Sequence, residues 1–94
     1  MKNQTFGVEI ELTGITRKKA AQIIADYFGT ESFYIGTHYD TYGAKDGKGR
    51  TWKAMSDSSI RTEGGQEVEI VTPVLRYSDI EDLQEIVRKL RKSG

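Results

Sequence analysis

The chain has 94 residues, with 14 basic and 14 acidic side chains and a formal net charge of zero. This length suits one domain with a simple core, and the zero charge excludes a global field that attracts nucleic acid or an anionic membrane. The absence of cysteine excludes disulfides and thiolate metal sites. Because no apolar stretch has the length of a signal peptide or a membrane span, we expect a cytoplasmic protein without a membrane partner.

The first predicted strand, residues 5–13, alternates acidic and apolar side chains. Successive side chains in a strand point to opposite faces. Glu9 and Glu11 therefore share one face, and Ile10 and Leu12 share the other. We expect the apolar side to be buried and the acidic side to stay outside the core.

A helix and a hairpin are predicted next. Thr16 is a suitable N-cap and Gly29 a suitable C′ residue for a helix with an apolar stripe. Residues 33–42 are aromatic and β-branched and predict a strand. The glycine-rich segment 43–49 predicts a turn, after which residues 50–55 resume as the second strand of the hairpin.

The fourth predicted strand covers residues 67–72 and repeats the acidic–apolar alternation of the first. It follows two polar loop segments, residues 56–59 and 61–66. Pro73 cannot donate to the sheet and marks the end of the strand. This strand therefore adds a second pair of carboxylates to the sheet.

A second helix is predicted from Ser78, with Ser78 and Glu81 forming a capping box. Its acidic residues come early and its basic residues late, as the helix dipole favours. The order β-α-β-β-β-α predicts a single α+β domain over residues 1–94. We expect a two-layer sandwich, with two helices on one face of a four-stranded, largely antiparallel sheet.

Four carboxylates are predicted to share the face of the sheet opposite the helices. They are Glu9, Glu11, Glu67 and Glu69. Glutamate is a poor strand former, and like charges on one face repel one another. A bound cation would compensate for this repulsion. The alternative is a solvent-facing sheet on which the glutamates pair across strands with Lys53, Arg50 or Arg61, an arrangement that needs no function.

Four segments together resemble the putative amidoligase family, and the resemblance spans nearly the whole chain. They are residues 6–13 (FGVEIELT), 49–53 (GRTWK), 57–60 (DSSI) and 67–73 (EVEIVTP). The family comprises carboxylate–amine ligases related to glutamine synthetase and glutamate–cysteine ligase. The chain is similar to the N-terminal portion of such a protein.

The resemblance implies a ligase that uses ATP and Mg²⁺ to phosphorylate a carboxylate, which an amine then attacks to form an amide. It implies a nucleotide or another small molecule as the binding partner. The residues implied to bind metal are Glu9, Glu11, Glu67 and Glu69. The residues implied to contact the nucleotide are Arg50, Lys53, Asp57 and Ser58.

The family's pattern continues beyond this region with a Cys-Gly-x-His-x-His strand, whereas the only histidine here is His38, in the predicted hairpin. We therefore expect a truncated or degenerate domain that is incomplete as a catalyst alone. One alternative is a small non-catalytic binding protein, such as a phage or mobile-element inhibitor that docks on a host defence enzyme or nucleoprotein. Another is a module that forms a homodimer through the outer face of its sheet.

Overall fold

The structure is a computed structural model that describes residues 4–56 and 67–93. Its strands are β1 (Thr5–Phe6), β2 (Glu9–Thr13), β3 (Ser32–Gly36), β4 (Thr41–Lys45), β5 (Thr51–Met55), β6 (Glu67–Val71) and β7 (Leu75–Arg76). Its helices are α1 (Arg17–Phe28) and α2 (Ile80–Ser93), the latter preceded by a 3₁₀ turn, Tyr77–Asp79. The α+β class predicted from the sequence is confirmed.

The main sheet has five strands in the order β2-β6-β5-β4-β3, and every neighbouring pair is antiparallel. A separate two-stranded ribbon joins β1 to β7. The sheet is therefore larger than the four-stranded sheet predicted from the sequence. The antiparallel arrangement was predicted correctly.

The predicted strand over residues 33–42 is in fact two strands, β3 and β4, joined by a tight turn. Gly36, Thr37 and Asp40 take positive φ angles of 98°, 70° and 50°, which reverse the chain. Positive φ is uncommon for threonine, so composition alone favoured an uninterrupted strand. The turn predicted from residue 43 begins only at Asp46, because β4 continues to Lys45.

The predicted strand over residues 5–13 is also divided, with Gly7 and Val8 between β1 and β2. Val8 nevertheless keeps both of its backbone groups bonded to Thr72. Its amide donates to Thr72 Oγ1 (3.0 Å), and its carbonyl accepts from the Thr72 amide (3.0 Å). The break therefore leaves no backbone group of Val8 without a partner.

A single core lies between the sheet and the helices. Its buried residues are Ile10, Leu12, Ile15, Ala20, Ala21, Ile24, Ala25, Ala44, Trp52, Ala54, Val68, Ile70, Leu75, Ile86 and Leu90. Four of these residues are alanines on α1 or β5, and their small side chains let α1 approach the middle of the sheet closely. Strands β2 and β6 instead contribute four larger aliphatic residues to the core. The largest buried side chain, that of Trp52, packs against Phe28 with ring centroids 5.6 Å apart.

The caps predicted for α1 are confirmed. Thr16 Oγ1 accepts a hydrogen bond from the Lys19 amide (3.1 Å), and Gly29 ends the helix at φ 72°. The capping box predicted at Ser78 and Glu81 is wrong, because the 3₁₀ turn begins before Ser78. The Asp79 carboxylate instead accepts from the Arg76 amide (2.7 Å) at that start.

Helix α2 packs mainly against α1 and not across the sheet, which differs from the predicted layering. Ile86 and Leu90 are its fully buried residues. The Tyr27 hydroxyl on α1 donates to Asp82 on α2 (2.6 Å), and this hydrogen bond raises the pKa of Tyr27 to about 12. Within residues 4–56 and 67–93, neither helix combines the length and the apolar character that a membrane crossing requires.

Alanine substitutions at two glycines can show how backbone conformation affects stability independently of packing. A Cβ atom added at Gly29 or Gly47 would meet nothing within 4 Å, but only Gly29 has a positive φ. We expect Gly29→Ala to destabilise the fold by about 1 kcal/mol, because alanine is strained in the left-handed region. Urea unfolding followed by circular dichroism measures this change.

Gly47→Ala is the matched control, and we expect it to be neutral or to stabilise the fold by about 0.5 kcal/mol through the unfolded state. Equal losses of stability in both variants would contradict the assignment of Gly29 as a left-handed helix cap.

Candidate functional site

The two acidic strands of the sequence, β2 and β6, lie side by side. In their antiparallel register Glu11 is directly opposite Glu69, and Glu9 and Glu67 lie near opposite ends of the paired segment. Directly opposed residues of an antiparallel pair have Cβ atoms about 5 Å apart. The structure therefore brings all four predicted carboxylates to one face of adjacent strands.

The alternation of the sequence holds these carboxylates on the outer face, which is the sheet face opposite α1. Ile10 and Leu12 of β2 are buried on the helix side, as are Val68 and Ile70 of β6. A slip of one residue in either strand would exchange those aliphatic side chains for carboxylates in the core. The hydrophobic core thus fixes where the acidic groups lie.

The four glutamates differ in exposure. Glu9 and Glu11 on the edge strand are exposed, and Glu69 is partly buried. Glu67 is only 7% exposed. The edge of the sheet therefore presents accessible carboxylates, while those on β6 lie deeper.

The opposed pair Glu11 and Glu69 suits a hard cation, which prefers oxygen ligands. In the part of the chain that the structure describes, no group of three or more acidic or histidine side chains has the arrangement of a metal site. Magnesium commonly takes only one or two carboxylates from a protein and completes its coordination with water and phosphate oxygens. Glu11 and Glu69 therefore fit a magnesium site in which water and phosphate oxygens supply the other ligands, and they do not surround the ion by themselves.

A single line of paired residues crosses all five strands on the outer face. Glu9 pairs with Val71, Val71 with Lys53, Lys53 with Gly43, and Gly43 with Phe33. We call this line the cross-sheet row. It places the exposed ammonium group of Lys53 between the acidic strands and an aromatic ring.

Arg50 does not lie with the glutamates. Its guanidinium reaches the helix side, where Nη1 and Nη2 donate to the two carboxylate oxygens of Asp79 (2.9 and 3.0 Å). Its Nε donates to Asp46 (2.8 Å), which also accepts from the indole of the core residue Trp52 (3.0 Å). Arg50 therefore connects the β4–β5 hairpin to the start of α2.

Both carboxylates of this cluster are saturated with hydrogen bonds. Arg50 and the Arg76 amide hold the pKa of Asp79 well below its usual range, with a further contact from Lys48 (3.2 Å). Burial opposes ionisation of Asp46, but the bonds from Trp52 and from two backbone amides outweigh it and lower its pKa. The cluster is an internal structural link whose charges satisfy one another.

Asp57 and Ser58, which the sequence predicted to contact the nucleotide, lie outside the described residues. His38 is exposed in the β3–β4 turn, between strands. Sequence reasoning did not identify Gly43 and Phe33 as members of the outer face. A glycine within a strand beside an aromatic strand was the available signal, because aromatic rings often cover such glycines.

These features define an α+β domain whose sheet presents paired carboxylates and a lysine on the face opposite its helices. The family model described as "putative amidoligase enzyme" matches residues 2–94. The chain therefore belongs to the putative amidoligase family. Searches of curated proteins and of solved structures gave no match.

The link between the hairpin and α2 predicts a pH-dependent loss of stability. We expect Asp79→Asn to destabilise the fold by about 3 kcal/mol at pH 7, because the amide removes the buried charge that the partly buried guanidinium of Arg50 faces. The pKa of Asp79 is depressed in the folded state. Its stabilisation is therefore complete well above the unfolded value of about 3.9 and decreases as the pH falls below that value.

Urea unfolding of both proteins at pH 7, 5, 3 and 2 measures this difference, which we expect to be constant down to pH 5 and smaller at pH 3 and 2. Glu85→Gln is the control, since its pair with Arg88 is exposed and such pairs contribute less than about 1 kcal/mol. A difference between wild type and Asp79→Asn that persists unchanged at pH 2 would contradict the role given to Asp79.

Proposed function

We propose that this chain provides the metal- and phosphate-binding sheet face of an ATP- and Mg²⁺-dependent carboxylate–amine ligation. The observation that supports it is the register of β2 and β6, which sets Glu11 against Glu69 on the outer face. Membership of the putative amidoligase family supports this class of reaction. The positions of the side chains suggest which of them bind the metal and which bind phosphate.

The carboxylates and the lysine have complementary tasks. In such a ligation, ATP supplies the phosphoryl group that activates a carboxylate, and Mg²⁺ offsets the charge of the phosphates. Glu11 and Glu69 would hold the cation, with Glu9 beside them at the accessible edge and Glu67 deeper on β6. Lys53 would donate to phosphate oxygens, because an ammonium group binds phosphate through charge-assisted hydrogen bonds.

Lys53 is a better phosphate ligand than Arg50. Lys53 is exposed and lies in the cross-sheet row. The guanidinium of Arg50 is occupied by Asp46 and Asp79 on the helix side. A phosphate at Arg50 would have to displace a partner that is almost fully buried, which is energetically unfavourable.

Asp57 and Ser58 remain proposed contributors to the mouth of the same site. They follow β5 in the sequence after Ser56, and the last residue of β5, Met55, pairs with Glu69.

Replacement of one carboxylate tests the proposal. We expect the chain to bind ATP in the presence of Mg²⁺, and Glu11→Gln to weaken that binding at least tenfold, which corresponds to about 1.4 kcal/mol. The amide keeps the size of the side chain but removes the charge that a cation requires. Isothermal titration calorimetry with and without Mg²⁺ measures both affinities.

Glu81→Gln is the matched control, because Glu81 is an exposed glutamate on α2, away from the outer face. We expect it to bind Mg²⁺ and ATP like wild type. No binding by wild type at millimolar Mg²⁺ and ATP would contradict the proposed function and favour the non-catalytic binding protein as the alternative.

A further inference from the structure

The cross-sheet row continues past Lys53 to an aromatic side chain that lies on a glycine. A Cβ atom added to Gly43 would be 2.8 Å from Phe33 Cζ and 2.9 Å from Ile35 Cδ1. Both side chains of β3 therefore lie directly over the backbone of β4. The missing side chain at Gly43 is what permits this arrangement.

The resulting surface is apolar and accessible. Phe33 and Ile35 are each 38% exposed, although both are large hydrophobic residues. Lys45 places its ammonium group 6.0 Å from the centroid of the Phe33 ring. The outer face thus changes from carboxylates on β2 and β6, through Lys53 on β5, to an aromatic platform flanked by a second lysine.

The separation of Lys53 and Phe33 matches that between the phosphates and the base of a nucleotide. Neighbouring strands are about 4.8 Å apart, so Lys53 and Phe33, two strands apart, have backbones separated by about 10 Å. Phosphates held at Lys53 would leave the base of the same nucleotide within reach of Phe33. The inclination of the ring over Gly43 brings the platform closer still to Lys53.

We propose that Phe33, supported by Gly43 and flanked by Lys45, is the stacking platform for the base of the bound nucleotide. This inference rests on the proposed function, because it takes the phosphates to lie at Lys53. Aromatic side chains stack on the planar face of any base, and a lysine ammonium group is attracted to the face of an aromatic ring. The site therefore selects a nucleoside triphosphate over an inorganic polyphosphate.

The test compares Mg²⁺-ATP with Mg²⁺-tripolyphosphate, which has the phosphates but no base, by isothermal titration calorimetry. Wild type should bind ATP at least tenfold more tightly than tripolyphosphate. Phe33→Leu keeps an apolar side chain over Gly43 and removes the ring. It should weaken ATP binding about tenfold and leave tripolyphosphate binding unchanged, while Phe33→Trp should restore ATP binding.

Tyr77→Ala is the control for loss of an exposed aromatic, since Tyr77 is exposed on the 3₁₀ turn, and it should bind both ligands like wild type. Equal affinities of Phe33→Leu and wild type for ATP would overturn the inference and leave Phe33 with a packing role only. Equal affinities of wild type for ATP and tripolyphosphate would also overturn it.

The two proposals fail in distinguishable ways. Glu11→Gln should weaken the binding of both ligands, whereas Phe33→Leu should weaken only that of ATP. If tripolyphosphate binding requires Glu11 but ATP has no advantage over it, the proposed function stands and the platform is overturned. If wild type binds neither ligand, both proposals are overturned.

Discussion

The antiparallel pairing of β2 with β6 is the contact on which the rest of the molecule depends. It joins segments that are far apart in the chain, as the bonds between Val8 and Thr72, 64 positions apart, show. It also completes the core, because Ile70 and its aliphatic neighbours on both strands are buried together. The same register that buries these side chains sets Glu11 against Glu69. Stability and the candidate site therefore follow from one set of backbone hydrogen bonds.

A second constraint holds the hairpin that carries Lys53. Arg50 connects this hairpin to the start of α2 through Asp46 and Asp79, and Trp52 adds a bond from the core. Among residues 4–56 and 67–93, no buried side-chain nitrogen or oxygen lacks a hydrogen-bond partner. Hydrogen-bond partners are required where charged groups are buried away from water. The sheet and α2 are thus tied by directional bonds as well as by apolar contact.

The sequence predicted what depends on local periodicity. The acidic–apolar alternation predicted β2 and β6 and the shared face of their glutamates, and Thr16 and Gly29 predicted the ends of α1. The sequence did not predict the features that tertiary contacts determine. One of these is the chain reversal at Thr37, which needs a backbone conformation that threonine rarely takes. The pairing of Arg50 with Asp79 is likewise long-range, because the two residues are 29 positions apart. Strand order, on which the candidate site depends, also could not be read from local pattern.

The long separation between β2 and β6 has a consequence for how the protein folds. Pairing of distant segments requires closure of a large loop, which makes folding slow compared with helix or hairpin formation. The hairpins β3–β4 and β4–β5 join strands that are close in sequence and can form early. The edge strand β2 completes the sheet only when β6 is in place beside β5. The aromatic and lysine end of the outer face is therefore assembled from local contacts, and the carboxylate end from the most distant ones.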